Sequence, residues 1–182
     1  MTMVNKKSVY RYGAEYGVYA GLYLTVMSAS LLLFPYFPDG VVIFYLMAFS
    51  LPIATILLFQ RLISIEPEYG NYSSLLMFGS SVYLFGSLIC GLLTIGYMLI
   101  FAPNHIYDYV EMVISMLEQS PLKDEYMNEI ATTRQMIDER ALPTPIEYVF
   151  SMMWFTVLLG SLMSMLLAPI VCFFKKVKSK KQ

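Results

Sequence analysis

Charged residues are scarce in this chain: only 14% of its 182 residues are Asp, Glu, Lys or Arg, whereas 58% are hydrophobic. Soluble globular domains carry about 25% charged and about 45–50% apolar residues. Residues 41–60 and 72–104 contain no charged side chain at all. Runs of that length are long enough to cross a bilayer. The shortage of charge excludes an ordinary soluble domain and predicts an integral membrane protein.

Cysteine and histidine are equally rare. Cys90 and Cys172 both lie in apolar runs, so we expect no disulfide framework, and the redox compartment cannot be read from them. The single histidine, His105, has Asp108 one helical turn after it, but metal sites usually need three or four protein ligands. We interpret His105 as a polar residue at the start of a helix. We predict no metal and no cofactor.

Asp, Glu, Lys, Arg and His are missing from the middle of every apolar run. Such residues inside a membrane are the usual mark of an ion or proton pathway, so their absence argues against a coupled transporter. The sequence also contains no glycine-rich phosphate loop, no nucleophile elbow and no zinc-protease helix motif. We therefore predict that the protein is not an enzyme.

The apolar runs predict an all-α fold, a four-helix bundle integral to the membrane. Each run is as long as the roughly 20 residues that cross about 30 Å of hydrocarbon, or longer. The four predicted spans cover approximately residues 13–34, 41–60, 75–101 and 146–174.

One long polar segment, residues 103–147, separates the third span from the fourth. It holds nine of the thirteen acidic residues and three basic ones, a net charge of −6. Apolar residues recur at helical spacing in both halves of the segment, which predicts two amphipathic helices. They are Ile106, Val110, Val113 and Leu117, then Leu122, Tyr126, Ile130, Ile137 and Ala141. We favour an antiparallel hairpin outside the membrane over helices lying flat on lipid, since anionic headgroups would repel this charge.

Two short motifs predict where helices begin around this segment. Ser120 and Pro121 fit the N-cap and first position of the second polar helix. Thr144 and Glu147 have the spacing of a capping box that begins the fourth span.

Lysine and arginine are unevenly distributed among the connecting segments. With the N-terminus in the cytoplasm, the inner segments hold nine of them and the outer segments three. The positive-inside rule therefore predicts both termini in the cytoplasm and the polar segment outside. The basic tail, residues 175–182, is expected to contact anionic lipids of the inner leaflet. Nucleic-acid binding is a poor alternative for so short a tail.

Small residues recur every four positions on three of the predicted spans. Such residues let the backbones of membrane helices approach closely. We predict that they form helix-packing faces within the bundle, and the alternative is a docking face for another membrane protein or a second copy. The residues are Gly13, Gly17 and Gly21, then Ser87 and Gly91, and finally Gly160, Ser164 and Ala168.

The first span also carries tyrosines and one glutamate. Glu15 is the only acid within the first three predicted spans, and it follows Arg11 by one turn. We interpret it as a solvated or paired residue at the membrane edge. The alternative is that Glu15, Tyr19 and Tyr23 line a polar path for a substrate. The tyrosine hydroxyls need partners at that depth, and hydrogen bonds between helices are the ordinary explanation.

Several segments are similar to those of a known family. Arg11, Tyr12 and Gly13 with Gly17 and Gly21 form the first; residues 68–74 (EYGNYSS) and Pro103 are the others. On these the chain resembles a bacterial family of uncharacterised four-span membrane proteins, catalogued as domain of unknown function 4199. The resemblance implies a bacterial inner-membrane location. Some relatives are encoded near glycosyltransferases that use polyprenyl-phosphate lipids, which implies a role in envelope assembly. The resemblance supplies no catalytic residue.

Two hypotheses of function follow. The first is a non-enzymatic accessory or scaffold subunit of a bacterial inner-membrane complex in envelope glycan or lipid assembly. Its expected partners are membrane lipids and another membrane protein, with a polyprenyl-phosphate-dependent glycosyltransferase as a candidate, or a second copy of the chain. The alternative is a small homo-oligomeric transporter or lipid flippase.

Overall fold

The computed structural model describes residues 8–33, 37, 39–121, 125–139 and 141–179, with the last five described by backbone alone. Every regular element in these residues is helical, so the predicted all-α fold is confirmed. A 3-10 turn at Pro67–Tyr69 joins two of the helices. The α-helices are α1 Val9–Leu32, α2 Gly40–Ile65, α3 Tyr72–Phe101, α4 His105–Gln119, α5 Met127–Asp138 and α6 Pro145–Ser179.

Some of the predictions concern residues outside this description. Among them are the end of the first predicted span, the end of the basic tail and part of the apolar pattern of the second polar helix. Half of the basic residues counted for the orientation belong to the same group. The residues are Phe34, Leu122, residues 180–182, and Lys6, Lys7, Lys123, Arg140, Lys180 and Lys181.

Three of the described helices are long and apolar enough to cross a membrane: α2, α3 and the Pro145–Phe174 part of α6. Their mean hydropathies are 2.4, 2.1 and 2.3, which fits the predicted membrane character of the chain. The 24-residue α1 is not among the three. Five tyrosines, Arg11 and Glu15 make it less apolar than the others. The first predicted span, residues 13–34, therefore stays a prediction.

The four long helices pack side by side. α1 contacts α3 along its length, α3 contacts α6, and α2 contacts both α1 and α6. The Tyr12 hydroxyl donates to Glu66 at 3.3 Å, and the Tyr23 hydroxyl donates to the Met47 carbonyl at 2.6 Å. Because the start of α1 thus meets the end of α2, the two helices run antiparallel.

The densest packing lies at one end of this assembly, where α1 and α3 begin and α2 and α6 approach their ends. We call this the packed end, and the opposite end, where α4 begins, the His105 end. Aromatic and branched side chains fill the packed end, with Phe59 and Phe78 fully buried. The buried cluster consists of Tyr12, Phe59, Leu62, Leu75, Phe78, Val82, Ala168 and Val171.

The capping box at the start of α6 is confirmed. The Thr144 backbone N–H donates to Oε2 of Glu147 at 2.8 Å, and the Glu147 N–H donates to the Thr144 hydroxyl at 3.3 Å. This reciprocal pair satisfies donors that a helix start leaves without intrahelical partners.

The prediction for Ser120 and Pro121 is wrong. Ser120 follows the last residue of α4, its backbone N–H donates to the Leu117 carbonyl at 3.1 Å, and α5 begins only at Met127. A hydroxyl can cap either helix terminus, so the sequence pattern alone could not decide between the two roles.

Candidate functional site

The three repeating glycines of α1 lie directly against α3. A methyl group added to Gly17 would stand 2.6 Å from the nearest α3 side-chain atom, and one added to Gly21 would stand 2.8 Å away. Real Cβ atoms do not approach so closely, so the two backbones touch across this face. The α3 residues met by Gly13, Gly17 and Gly21 are Ser81, Phe85 and Ile89, in that order. Because both series ascend together, α1 and α3 run parallel.

Two glycines on the α3 side of these contacts, Gly79 and Gly86, were not among the predicted packing residues. Gly86 would place a Cβ 3.3 Å from the Cβ of Ala20 and 3.3 Å from the backbone nitrogen of Gly21. A Cβ on Gly79 would stand 2.7 Å from the Cβ of Ser164 in α6. These glycines are seven residues apart, so a search for four-residue spacing passes over them.

The small residues of α6 contact the opposite side of α3. A Cβ at Gly160 would meet the ring of Tyr83, whose hydroxyl lies 2.6 Å from Oγ1 of Thr55 in α2. Ser164 and Ala168 are fully buried. Ser164 donates its hydroxyl proton to the Gly160 carbonyl at 2.8 Å. One α6 face therefore packs on α3, which in turn is fixed to α2.

The remaining two predicted small residues lie nearer the His105 end. Ser87 is 2% exposed, and its hydroxyl donates to the Leu84 carbonyl at 2.9 Å. A Cβ on Gly91 would meet the sulfur of Met153 in α6. All eight predicted small residues therefore lie between helices of this chain, and a partner could reach Gly17 or Gly160 only by displacing α3.

The three residues of the predicted polar path lie one helical turn apart on α1 and make different contacts. Glu15 is paired with Arg11 at 3.6 Å on the exposed side of α1. Tyr19 is 70% exposed. The Tyr23 hydroxyl contacts α2 instead, lying 2.6 Å from both the Met47 carbonyl and the Ser50 hydroxyl. Among the described contacts, each of the three side chains therefore has different neighbours.

The two polar helices contact each other through one ion pair. Nη2 of Arg134 in α5 donates to both carboxylate oxygens of Glu118 in α4, at 2.8 and 3.0 Å. Both side chains are partly exposed, so the pair contributes at most about 1 kcal/mol. Ile114 and Ile130, one from each helix, are buried.

A partly open cavity of about 240 Å³ lies at the His105 end. Residues from α1, α3, α4, α6 and the 141–144 connection meet around it, and most of them are apolar. Its walls comprise Leu31, Leu32, Met98, His105, Ile106, Tyr109, Val110, Leu142, Pro143 and Tyr148.

Among the described residues of this wall there is no Asp, Glu, Lys or Arg, and His105 is the one histidine. His105 is 4% exposed. Its Nε2 has no hydrogen-bond partner among the residues that the structure describes. Burial lowers the pKa of His105, and the Asp108 carboxylate opposes part of that effect. The ring of Tyr97 packs edge-on against the imidazole, with the ring centroids 6.4 Å apart. His105 therefore begins α4, as the sequence predicted, and its imidazole is buried, with a lowered pKa that favours the neutral form.

Two smaller spaces adjoin this cavity on the side of the spans. A groove of about 190 Å³ between α1 and α3 shares Leu32 with it and extends past Thr94 to Thr25. A gap of about 30 Å³ shares Leu31 and Tyr148 with it. The three spaces together form a continuous set at the His105 end.

The sequence carried only a weak signal for this site. His105 and Tyr109 are one helical turn apart and both line the cavity, so they share a helix face. Half of the wall comes from residues more than thirty positions away, such as Leu31 and Leu142. Within the described part of the chain no three His, Cys, Asp or Glu residues lie close enough to hold a metal ion.

A family model described as "Protein of unknown function (DUF4199)" matches residues 15–172. The chain belongs to this family. The resemblance read from the sequence is therefore confirmed. No curated protein and no solved structure matches the chain.

The DUF4199 match includes most of the features described above. It begins at Glu15, after the Arg11–Gly13 motif, and ends at Cys172 within α6. The α1–α3 face from Gly17 onward, the α3–α6 face and the whole wall of the His105 cavity lie inside it. The family description assigns no activity to any of these residues.

Proposed function

We propose that this DUF4199 protein is a non-enzymatic accessory or scaffold subunit of a bacterial inner-membrane complex in envelope glycan or lipid assembly. In this proposal the chain crosses the membrane four times, both termini are cytoplasmic, and α4 and α5 form an acidic hairpin outside. The partner is another membrane protein with a basic outer surface. A polyprenyl-phosphate-dependent glycosyltransferase is the first candidate.

The four-span part of the proposal is supported by the packing of α1. A helix of 24 residues is about 36 Å long, which exceeds the roughly 30 Å of hydrocarbon. Its glycines follow α3, an apolar helix long enough to span, from Gly13 to Gly21. A helix in such close contact with a span occupies the same depth in the membrane.

The observation that carries the accessory function is the charge on α4 and α5. Arg134 is the one basic residue that the structure describes between residues 103 and 147, and Glu118 already pairs with it. The exposed acids in and beside α5 are thus left to face outward, and a basic protein surface is the chemistry that complements them. They are Glu125, Glu129, Asp138 and Glu139.

The transporter alternative has less support. A path through Glu15, Tyr19 and Tyr23 requires these side chains to face a common space. Glu15 instead forms an ion pair with Arg11, and the Tyr23 hydroxyl forms hydrogen bonds with α2.

The full-length chain, tagged and purified from native membranes after mild crosslinking, is expected to bring down one membrane protein in stoichiometric amount. Removing three acids (Glu125→Gln, Glu129→Gln, Asp138→Asn) is expected to reduce its recovery roughly threefold or more, since each exposed charge pair contributes about 0.2–1 kcal/mol. The measurement is quantitative mass spectrometry of the purified material.

The matched control combines Asn128→Gln with Thr132→Ser, which changes the surface of α5 but not its charge. This control should recover the partner in full. Equal recovery by both variants, or a chain that purifies alone, would contradict the proposal. Crosslinks only between copies of the chain would favour the homo-oligomeric transporter, and a liposome flux assay of Glu15→Gln would then follow.

A further inference from the structure

Nε2 of His105, the one histidine of the sequence, is buried and has no hydrogen-bond partner among the described residues. Leaving a buried polar group unsatisfied is costly, so such groups in native proteins need an explanation. The accessory function proposed above does not use His105, because its acidic surface lies on α5. A ligand bound in the cavity beside His105 would supply the missing hydrogen bond.

The size of the cavity fits a small headgroup rather than a whole lipid. About 240 Å³ equals the volume of roughly eight water molecules in the liquid. The groove between α1 and α3 continues from it past Thr94, and that groove is mostly apolar. A ligand with a small polar end and one long apolar chain matches this shape.

The position of the cavity fits a lipid as well. It lies where α3 ends at Phe101 and α6 begins at Pro145, which are the limits of two helices able to span a membrane. A cavity at this level is next to the headgroup region, and its groove leads back toward the hydrocarbon.

The charges around the cavity select among headgroups. Asp108 is one turn from His105 in the same helix, and the polar segment as a whole carries a net charge of −6. A phosphate or carboxylate headgroup would be repelled there. The lowered pKa of His105 leaves its imidazole uncharged near neutral pH, so Nε2 offers a single neutral hydrogen bond. An uncharged hydroxyl is the group that satisfies it without adding charge.

We propose that the His105 cavity binds a lipid whose headgroup is an uncharged hydroxyl. Nε2 of His105 is fully buried in the structure, so the imidazole turns toward the cavity on binding, and the hydroxyl then forms a hydrogen bond with Nε2. The chain leaves the cavity through the groove between α1 and α3, past Leu32 and Thr94.

Three probes with one chain length test this proposal: 1-hexadecanol, hexadecane and hexadecyl phosphate. The full chain is held in an amine-oxide detergent, which carries no hydroxyl group, and its thermal unfolding is followed with each probe. Only hexadecanol should raise the melting temperature, by roughly 5 °C or more near saturation, because a ligand that binds the folded state alone stabilises it. Equal shifts with hexadecane, or no shift with hexadecanol, would overturn the proposal.

Variants locate the binding. His105→Leu removes the hydrogen bond and should abolish the hexadecanol shift, while His105→Gln, which keeps a polar group, should retain part of it. Leu142→Trp fills the cavity from an irregular segment and should abolish the shift too. Leu92→Trp, on a side chain 69% exposed on α3, should leave the shift intact.

His105→Leu also has an expected effect without any probe. Replacing an unsatisfied buried group by an apolar one should leave the ligand-free chain as stable as before or more so. If instead His105→Leu keeps the full hexadecanol shift, the alcohol binds elsewhere and the proposal fails. Because all of these measurements use the isolated chain, their failure is distinct from a failure to find a protein partner.

Discussion

Gly160→Ala lowers the melting temperature of the protein in mild detergent by roughly 2–12 °C, because overpacking costs about 1–3 kcal/mol. The added Cβ would meet ring carbons of Tyr83, which is 5% exposed. The ring has little freedom to move aside, because its hydroxyl lies 2.6 Å from the Thr55 hydroxyl. The change therefore strains α3 against both α2 and α6. Scanning fluorimetry of the purified chain gives the measurement.

Gly96→Ala is the matched control for this prediction. It makes the same substitution within a helix, but a Cβ at Gly96 meets nothing within 4 Å. The melting temperature should stay the same or rise, since alanine favours helix over glycine by about 1 kcal/mol. Tyr83→Leu in the Gly160→Ala background should restore part of the loss. Equal melting temperatures for the two alanine variants would show that the Gly160 contact is not tight.

Gly17→Leu is expected to separate α1 from α3. A Cβ there stands 2.6 Å from the Cβ of Phe85 and 3.3 Å from the Val82 carbonyl oxygen, and the backbone of α3 cannot rotate away as a side chain can. The expected loss is about 3 kcal/mol or more, the upper range for overpacking, or roughly 6–12 °C in melting temperature. Thermal unfolding and protease sensitivity of α1 both measure it.

Two controls on α1 separate packing from other effects. Val18→Leu enlarges a neighbouring side chain that is 46% exposed, so stability should be unchanged. Glu15→Gln removes an exposed ion pair and should shift the melting temperature by about 2–4 °C at most. If Glu15→Gln were as damaging as Gly17→Leu, the loss could not be assigned to the close contact between α1 and α3.

Local patterns in the sequence predicted local features of the fold. Thr144 and Glu147 are three residues apart, and the capping box they form depends on nothing beyond that turn. The repeat of Gly13, Gly17 and Gly21 predicted a packing face for the same reason. Its partner could not be predicted, because spacing within one helix does not say which other helix lies opposite.

The candidate site was harder to predict because it is made of distant segments. Whether His105 is solvated or buried depends on Leu31 and Leu142, which lie far from it in sequence. Composition pointed to a polar helix start, and tertiary packing made the imidazole neutral and buried. The N-cap prediction for Ser120 was wrong for a related reason, since a serine hydroxyl can cap either end of a helix.

The most direct test is the side of the membrane on which three described positions lie. Single cysteines at Ser8, Ser73 and Thr132 would be made in a Cys90→Ala, Cys172→Ala background, and spheroplasts would be treated with a membrane-impermeant maleimide. All three native side chains are exposed. We expect labelling at Thr132 in α5 alone, with Ser8 and Ser73 labelled only after permeabilisation. Labelling at both Ser8 and Thr132 in intact spheroplasts would show that α1 does not cross, and protection at Thr132 would place the acidic helices inside.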